Sequence, residues 1–417
     1  MCWRRGSIRF TCLLAVACAR PLSDGVIVVP APSFERTQSP AKLGRIVVAA
    51  GGFARNHTIV TFPLGRDGAR ALTLTDGSGK KFPLQRHADG TATFILHSLA
   101  AGQEAVFAIE QTDSFATAGP NVVEHERALE LSSNARAVVR FQTKGELPPG
   151  IDEVYLRGGY LHPLYTPGGV AVTGDYPESH YHQHGIFSAW TRTRWSDHAI
   201  DFWNTGDKQG KVDFQTLEQT FRGPVFAGFR ARLAHIALLG DEPPVIALDE
   251  RWTVTTYQTH SEAPPYFVVD LDSEQRTATN APLLLEQYTY GGFALRGHAQ
   301  WADPASVTFL TSEGMDRASG DGQKGRWCYI GGKVDGAMVG FAMLGHPKNF
   351  RAPQTFRIHP KHPYMAFAPV KDGPFTIEPG KPYVSRFRIV SFDGPFDREL
   401  IDRLWRDYAT SPEVTVE

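Results

Sequence analysis

The sequence predicts an all-β protein, and three features of its 417 residues lead to this expectation. Short segments of alternating apolar and polar residues follow one another from residue 43 onwards, which is typical of half-buried strands. Turn residues are abundant, with 40 glycines and 29 prolines. No apolar pattern with the helical period appears before residue 390. Long consecutive strands joined by tight turns favour large antiparallel sheets over a doubly wound fold.

The strand-like segments predict two domains. Residues 40–112 contain five short alternating segments separated by turns, and we interpret them as an N-terminal β-sandwich module. Residues 112–127 are polar and irregular, which suggests a linker. Residues 126–417 then form the larger β-domain, whose longest strand segments are expected at 226–239 and 244–258.

One helix is expected, near the carboxyl terminus. Residues 397–408 place Leu400, Leu404 and Tyr408 on one face, as an amphipathic helix packed on a sheet requires. Asp407 belongs to the opposite face, which we expect to be solvated.

The amino terminus predicts export. In residues 1–18, three arginines precede an apolar run that ends in Ala15-Val16-Ala17, the pattern of a cleavable signal peptide. Cys18 is an alternative attachment site for a lipid. We therefore expect a periplasmic or extracellular protein, either released or anchored as a lipoprotein.

Charge and hydropathy exclude several classes of partner. The 43 Lys and Arg residues balance 44 Asp and Glu residues, for a formal net charge of -1, so no basic surface for nucleic acid is indicated. The longest apolar runs reach about half of the ~20 residues that a membrane helix needs. We expect no nucleic-acid partner and no membrane span.

The strongest functional signal is the run His180-Tyr181-His182-Gln183-His184. Side chains at alternate positions of an extended segment share a face, so a strand here would place three imidazoles together. Such a set can relay protons to a substrate, or it can bind a divalent metal such as zinc. The candidate catalytic residues are His180, His182, His184 and Asp201, and a metal held by the three histidines is the alternative.

Five further residues are candidates for substrate binding because they lie beside glycines, in loops or in an aromatic segment. They are Trp203, Arg296, His298, His346 and Arg351. For each of them a structural role is the competing interpretation. In the similar segment at residues 359–364, His-Pro-Lys-His-Pro-Tyr, we favour a polar turn without a role in binding.

The order of several motifs resembles a known bacterial family, labelled PmoA-like. The motifs include LHPLYTPGGVAVTGDYP, SHYHQHGIFSAW, DFWN, YGGFALRG, RWCYIGG and GFAMLGHPKNFRAP, spread over roughly residues 150–395. Family members often show HPHHRG where this chain has HYHQHG, so His180 and His182 match while Gln183 and His184 depart from the pattern. The label borrows the name of a methane monooxygenase subunit, an integral membrane protein that this chain does not match.

The resemblance implies a galactose-mutarotase-like β-supersandwich and a setting of sugar metabolism. It also implies site positions at His180, His182, Asp201, Trp203, Arg296 and His346. Together with export and the aromatic and polar residues, it favours a carbohydrate as ligand or substrate.

Three hypotheses about function remain open. The first is a carbohydrate epimerase, lyase or glycoside-cleaving enzyme that uses acid/base chemistry on sugars or oxidised sugars. The second is a glycan-binding surface protein without catalytic activity. The third is a metalloenzyme that uses the three alternate histidines.

Overall fold

β-strands dominate the computed structural model, which describes residues 42–66, 71–112, 119–178, 180–259 and 265–417. The predicted signal peptide at residues 1–18 and the alternative lipid site at Cys18 lie outside the described residues. Of the helices in the described ranges, none combines the length and the apolar character needed to cross a bilayer.

The strands follow the alternating segments of the sequence. Those of the first third are β1 (Lys42–Ala49), β2 (Arg55–Pro63), β3 (Ala71–Asp76), β4 (Lys81–Arg86), β5 (Thr91–Leu99), β6 (Glu104–Thr112), β7 (Asn121–Glu124), β8 (Ala128–Ser133) and β9 (Arg136–Gln142). The next are β10 (Tyr160–Leu164), β11 (Ile186–Ala189), β12 (Thr193–Trp195), β13 (His198–Ile200), β14 (Gly210–Phe221), β15 (Phe226–Ala237), β16 (Val245–Tyr257) and β17 (Tyr266–Thr277).

The remaining strands are β18 (Leu283–Leu285), β19 (Gly292–Arg296), β20 (Val307–Thr311), β21 (Trp327–Val334), β22 (Ala337–Gly345), β23 (Phe356–Ile358), β24 (Tyr364–Phe367), β25 (Phe375–Ile377), β26 (Tyr383–Asp393) and β27 (Glu413–Val416). The α-helices are α1 (Arg317–Gly320) and α2 (Arg398–Ala409). Short 3-10 helices span Glu153–Tyr155, Thr205–Asp207, Ala299–Trp301, Pro304–Ser306 and Pro369–Asp372.

The N-terminal sheet has seven strands in the order β2-β5-β4-β3-β6-β1-β27. Its alternation buries one face, so that Ile46 and Val48 of β1 join Phe82 and Leu84 of β4 in an apolar core. The last strand of the chain, β27, pairs antiparallel with β1 and completes the sheet.

Two eight-stranded sheets form the larger part. The first has the order β23-β24-β19-β11-β10-β9-β8-β7 and the second the order β14-β15-β16-β17-β26-β22-β21-β20. Their facing side chains make one continuous core, in which the ring of Phe293 lies 5.5 Å from Trp252 and 4.8 Å from Phe387. A smaller sheet has four strands, in the order β13-β12-β18-β25.

The second sheet has a polar outer face because its strands alternate. In β15, Phe229 and Leu233 enter the core, whereas Arg230 and Arg232 point away from it. The same rule places Thr253 of β16 on the outer face.

Helix α2 packs against this outer side, with Leu400, Ile401 and Leu404 buried. The side chain of Asp397 caps it by accepting a hydrogen bond from the backbone N–H of Leu400 at 3.0 Å. Asp407, expected in solvent, is instead buried and accepts a hydrogen bond from Arg55 of β2 at 3.0 Å. The helix therefore connects the N-terminal sheet to the larger part.

The predicted class is confirmed: the protein is an all-β supersandwich with an N-terminal β-module and a C-terminal helix. Two features differ from the expectation in detail. Residues 121–124 of the expected linker form an edge strand of the first large sheet, and β27 belongs to the N-terminal sheet. The division into domains at 40–112 and 126–417 stays a prediction.

Candidate functional site

Residues 180–183 form a tight turn, where an extended strand was expected. The N–H of His180 donates to the carbonyl of Pro177 at 3.0 Å, and the N–H of Gln183 donates to the carbonyl of His180 at 2.8 Å. His180 and His182 stay close to each other, but His184 is directed to Asp175, so the expectation that all three imidazoles project together is wrong.

Gly185 ends this turn and leads into β11. A Cβ atom at this position would lie 2.2 Å from the carbonyl oxygen of Leu161, a backbone atom that cannot move aside. The close approach of β11 to β10 therefore requires glycine at this position. This approach fixes the position of the turn relative to the sheet.

His184 points into the interior. Its Nδ1 lies 2.6 Å from Oδ1 of Asp175, and the hydroxyl of Tyr160 donates to the other oxygen of that carboxylate at 2.9 Å. The imidazole is fully buried and stacks on Tyr160 with the ring centroids 4.4 Å apart. Burial lowers the pKa of His184, and the carboxylate of Asp175 opposes this only in part. His184 and Asp175 form a buried pair that supports the turn from below.

His180 and His182 belong to another group of imidazoles, which we call the histidine cluster and which consists of His180, His182, His359 and His362. The ring centroids of His180 and His182 are 5.8 Å apart. His180 lies 4.6 Å from His362 and 6.4 Å from His359, and His359 and His362 stack at 4.4 Å. Two loops that are far apart in sequence thus meet at one half-buried place.

The loop of His359 and His362 is held in place by hydrogen bonds. One guanidinium nitrogen of Arg317, in helix α1, donates to the carbonyl oxygens of His359, Pro360 and His362 at 3.3 to 3.5 Å. Nδ1 of His359 accepts the backbone N–H groups of Lys361 and His362 at 3.1 and 2.9 Å. We therefore assign the proton of the neutral His359 ring to Nε2, which becomes a hydrogen-bond donor.

Arg296 lies next to the cluster because of the strand register. It stands at the end of β19, directly opposite Tyr364 of β24, and so beside the loop that carries His362. Its Nη1 donates to the side-chain oxygen of Gln183 at 2.8 Å. The residue is 6% exposed, and no carboxylate of the described residues forms an ion pair with it.

The surroundings keep the cluster uncharged at neutral pH. Burial and then the nearby positive groups, Arg296 among them, lower the pKa of His182, His359 and His362 to about 4. The pKa of His180 is lowered by the same causes. Burial also lowers the pKa of Arg296, to about 10, so its guanidinium stays charged. The guanidinium of Arg296 is thus a buried cation beside neutral imidazoles.

Asp201 and Trp203 have local roles. One oxygen of the Asp201 carboxylate accepts the backbone N–H groups of Trp203 and Asn204 at 2.7 and 2.9 Å, and the other accepts the Asn204 side chain at 2.7 Å. Trp203 is buried against Phe187, at a ring distance of 4.9 Å. The carboxylate of Asp201 therefore stabilises the turn that contains it. The indole of Trp203 has no exposed face that could stack on a sugar.

Three other candidates lie elsewhere. Nδ1 of His298 caps a 3-10 helix by accepting the N–H of Gln300 at 3.2 Å. Arg351 donates to the carbonyl oxygens of residues 369, 373 and 374, which makes it a loop anchor. His346 packs against Tyr408 of helix α2, at a ring distance of 4.9 Å. Of the five predicted binding residues, the structure brings only Arg296 to the histidine cluster.

The alternative of a metal at His180, His182 and His184 does not fit the geometry. Nδ1 of His184 is directed to Asp175, away from the other two rings. Within the described ranges, no three His, Cys, Asp or Glu side chains converge in a way that could hold a metal ion. The nitrogen donors are too dispersed for the tetrahedral set that zinc prefers.

His359 and His362 were missed by the sequence reasoning, which favoured a polar turn at residues 359–364. The available signal was a pair of histidines, three residues apart and each followed by proline. Their pairing with His180 depends on β24 lying beside β19, and spacing along the chain does not show this neighbourhood.

Comparison with solved structures gives low similarity. The chain is similar to a protein in the glycosyl hydrolase family 38 from Enterococcus faecalis, with a TM-score of 0.43 and 8% identity over 90% of this chain and 47% of that chain. It is also similar to an alpha-mannosidase from Enterococcus faecalis V583, with a TM-score of 0.42 and 8% identity over 90% and 46%. The chain thus spans about half the length of these proteins, and the fold assignment rests on its own strand pairing.

Sequence comparison places the chain in a family. No curated protein matches it. The family described as "Family of unknown function (DUF6807)" matches residues 128–406, which include the histidine cluster and Arg296. The match covers well over half of the chain, so this protein belongs to the DUF6807 family.

Proposed function

We propose that the protein is an acid/base enzyme that binds a sugar bearing a carboxylate at the histidine cluster and moves a proton on the carbon next to that carboxylate. The observation that supports this most is the guanidinium of Arg296, which is buried without a described carboxylate partner. An unpaired buried charge costs stability, so it is expected where a ligand supplies the opposite charge.

The donors around Arg296 suit an anion. A guanidinium carries five N–H donors, and the structure assigns a partner to Nη1 through Gln183. Its planar fork matches the two oxygens of a carboxylate. Nε2–H of His359 adds a neutral donor close by. A carboxylate here would meet donors and one positive charge without repulsion from an acidic neighbour in the cluster.

The neutral imidazoles suit proton abstraction. With a pKa of about 4, the ring of His182 is unprotonated at neutral pH and can accept a proton. A bound carboxylate would raise this pKa, because a nearby negative charge favours the imidazolium. Ligand binding thus moves the base towards the range in which general-base catalysis is most effective.

The step leaves every atom accounted for. The proton passes from the substrate carbon to a nitrogen of His182, and the electron pair of the C–H bond delocalises into the carboxylate, whose negative charge Arg296 stabilises. Delivery of a water proton through the neutral ring of His180, whose centroid is 5.8 Å from that of His182, to the other face of the carbon would invert it, and the imidazolium of His182 then gives its proton to the hydroxide that is left. The proposed reaction is therefore an epimerisation.

Two tyrosines beside the cluster support a sugar as the substrate class. Tyr181 lies between His180 and His182 in the turn and packs on Tyr155, with ring centroids 5.5 Å apart, and both are only half-buried. Such rings can stack on the C–H face of a sugar. The resemblance to the PmoA-like proteins and the expected export stay predictions that agree with this class.

Deuterium exchange tests the proposal. The protein is incubated in heavy water with galacturonate, glucuronate, mannuronate and gluconate, and each sugar is analysed by mass spectrometry. We expect deuterium at the carbon next to the carboxylate of one of them. Arg296→Met and His182→Gln should abolish uptake, whereas His125→Gln, in an exposed turn, should not change it. Uptake that survives Arg296→Met contradicts the proposal, as does the lack of uptake in all four sugars.

A second candidate is a binding protein without turnover. It is favoured by the engagement of His184 with Asp175 and of Asp201 with its own turn, which removes two of the predicted catalytic residues. Calorimetric titration distinguishes the two functions. A sugar that binds in an Arg296-dependent manner but takes up no deuterium identifies the binding protein.

A further inference from the structure

A cavity lies on the outer face of the second large sheet. It is a cleft of about 680 Å³, in the range of ~300 to 1,000 Å³ that is usual for ligand sites. The N-terminal sheet covers it through β2 and the turn between β4 and β5, and the end of helix α2 closes one side. The histidine cluster is built on the first sheet, so this cleft is separate from it.

The floor of the cleft is a row of four polar side chains, one from each of four neighbouring strands. Arg230 of β15 lies opposite Thr253 of β16, Thr253 lies opposite Asp272 of β17, and Asp272 lies opposite Arg386 of β26. With neighbouring strands ~4.8 Å apart, the row spans about 14 Å. Hydrogen-bond donors and acceptors alternate along it.

The next row of the same face is already satisfied within the protein. Arg388 forms two hydrogen bonds to the carboxylate of Asp270, at 2.7 and 2.8 Å, and the hydroxyl of Tyr257 donates to the same carboxylate at 2.9 Å. These groups are buried or nearly so, and their hydrogen bonds join β16, β17 and β26. They form the rear wall of the cleft.

The row from Arg230 to Arg386 is open by comparison. Nε of Arg386 is 3.8 Å from Asp272, beyond hydrogen-bond distance. Arg230 has no ion-pair partner among the residues that the structure describes. The side chain of Asp272 is 55% exposed to the cleft. Under a protein cover, the sheet thus offers a line of side chains that form no hydrogen bond among the described residues, although Asp272 and Arg386 face each other as a loose ion pair at 3.8 Å.

We propose that this cleft is a second binding site and that its ligand is an oligosaccharide chain lying along the row Arg230, Thr253, Asp272 and Arg386. A small anion would meet Asp272, and a small cation would meet two arginines, so simple ions are disfavoured. A hydroxyl group both donates and accepts, and a chain of sugar hydroxyls can satisfy every member of the row. The lining is predominantly polar, which also disfavours an apolar ligand.

The titration of Asp272 agrees with a functional cleft. Burial between the walls, followed by the carboxylate of Asp270, raises the pKa of Asp272 to about 6. Because more than half of the side chain is exposed, water in the cleft screens part of this effect. Perturbed carboxyl groups in clefts are frequent at binding and catalytic sites.

The test uses calorimetric titration with four named probes: cellohexaose, xylohexaose, mannohexaose and hexagalacturonate. The Arg296→Met variant serves as the starting protein, so that binding at the histidine cluster is weakened and any effect of the further substitutions reports on the cleft. We expect one of the probes to bind with a Kd below about 1 mM. Thr253→Trp, which fills the floor of the cleft, should weaken this binding by about tenfold or more, and Asp272→Asn should weaken it by a similar factor.

The matched control is Thr308→Trp, on the exposed side of edge strand β20 and outside the cleft, which should leave the affinity unchanged. If Thr253→Trp does not fold, Asp272→Asn alone decides. The proposal is overturned if no probe binds, or if the affinity survives the change in the cleft. It stands even if Arg296 proves unnecessary for any reaction, because the two sites are tested separately.

Discussion

Replacing Arg296 with methionine should abolish function without destabilising the fold. Burial lowers the pKa of Arg296 to about 10. Keeping the guanidinium charged therefore reduces the free energy of unfolding by roughly 3 kcal/mol. Its hydrogen bond to Gln183 returns about 1.5 to 3 kcal/mol. The two contributions nearly cancel, so we expect the free energy of unfolding to change by about 1 kcal/mol or less.

Arg55→Met is the matched control. Arg55 is as buried as Arg296, but it is paired with the buried carboxylate of Asp407 and also donates to the carbonyls of Ala50 and Thr410. Removing it leaves Asp407 buried without its cation, which costs about 3 to 5 kcal/mol. The same substitution should therefore give opposite outcomes at the two positions.

Urea unfolding followed by tryptophan fluorescence measures both free energies, and calorimetry measures the affinity for the acidic sugar. We expect Arg296→Met to weaken that affinity by ~10- to 150-fold, the equivalent of one charge-assisted hydrogen bond. A loss of stability as large as that of Arg55→Met would refute the reasoning, because Arg296 would then be a structural cation.

Three other predictions concern the same region. Gly185→Ala should lower the free energy of unfolding by about 2 kcal/mol or more, because the new Cβ would lie 2.2 Å from a backbone oxygen. Gly52→Ala is the control, since a Cβ there has no atom within 4 Å, and equal urea midpoints for the two variants would contradict the prediction. The free energy of unfolding should fall as the pH drops from about 6.5 towards 4, because the histidines of the unfolded chain take up protons at a higher pH than those of the folded protein. His362→Gln should therefore flatten the dependence of Tm on pH. Arg317→Met should weaken binding of the acidic sugar by loosening the loop at residues 359–362, with an unchanged circular dichroism spectrum; unaltered affinity would show that this loop is not needed.

The strands were predictable where alternation was uninterrupted. The period of two located β1, β2, β5 and β6, and it also located the long strands β15 and β16. Strand β4 escaped because Pro83 interrupts it, and proline argues against a strand. Pro163 likewise obscured β10. In both strands, proline argued against β-structure locally, but pairing with neighbouring strands stabilises the extended conformation.

The site was predictable only in part. Histidine density drew attention to His180 and His182, which the structure places in the histidine cluster, but alternation was interpreted as a strand where the chain turns. Which imidazoles meet depends on the order of strands in the sheet, since Arg296 and the loop before Tyr364 become neighbours only through β19 and β24. Sheet order is a property of the whole fold, and no local spacing encodes it.

The pairing of β27 with β1 affects how the protein can be made. Ile46 pairs with Val416, which follows it by 370 residues, so the outer edge of β1 stays unpaired until β27 has been synthesised. A bare edge strand can recruit other chains, and contacts between such distant residues form slowly. Nascent chains are therefore vulnerable to aggregation until β27 has been synthesised, and a rearranged sequence in which β27 precedes β1 should escape this delay.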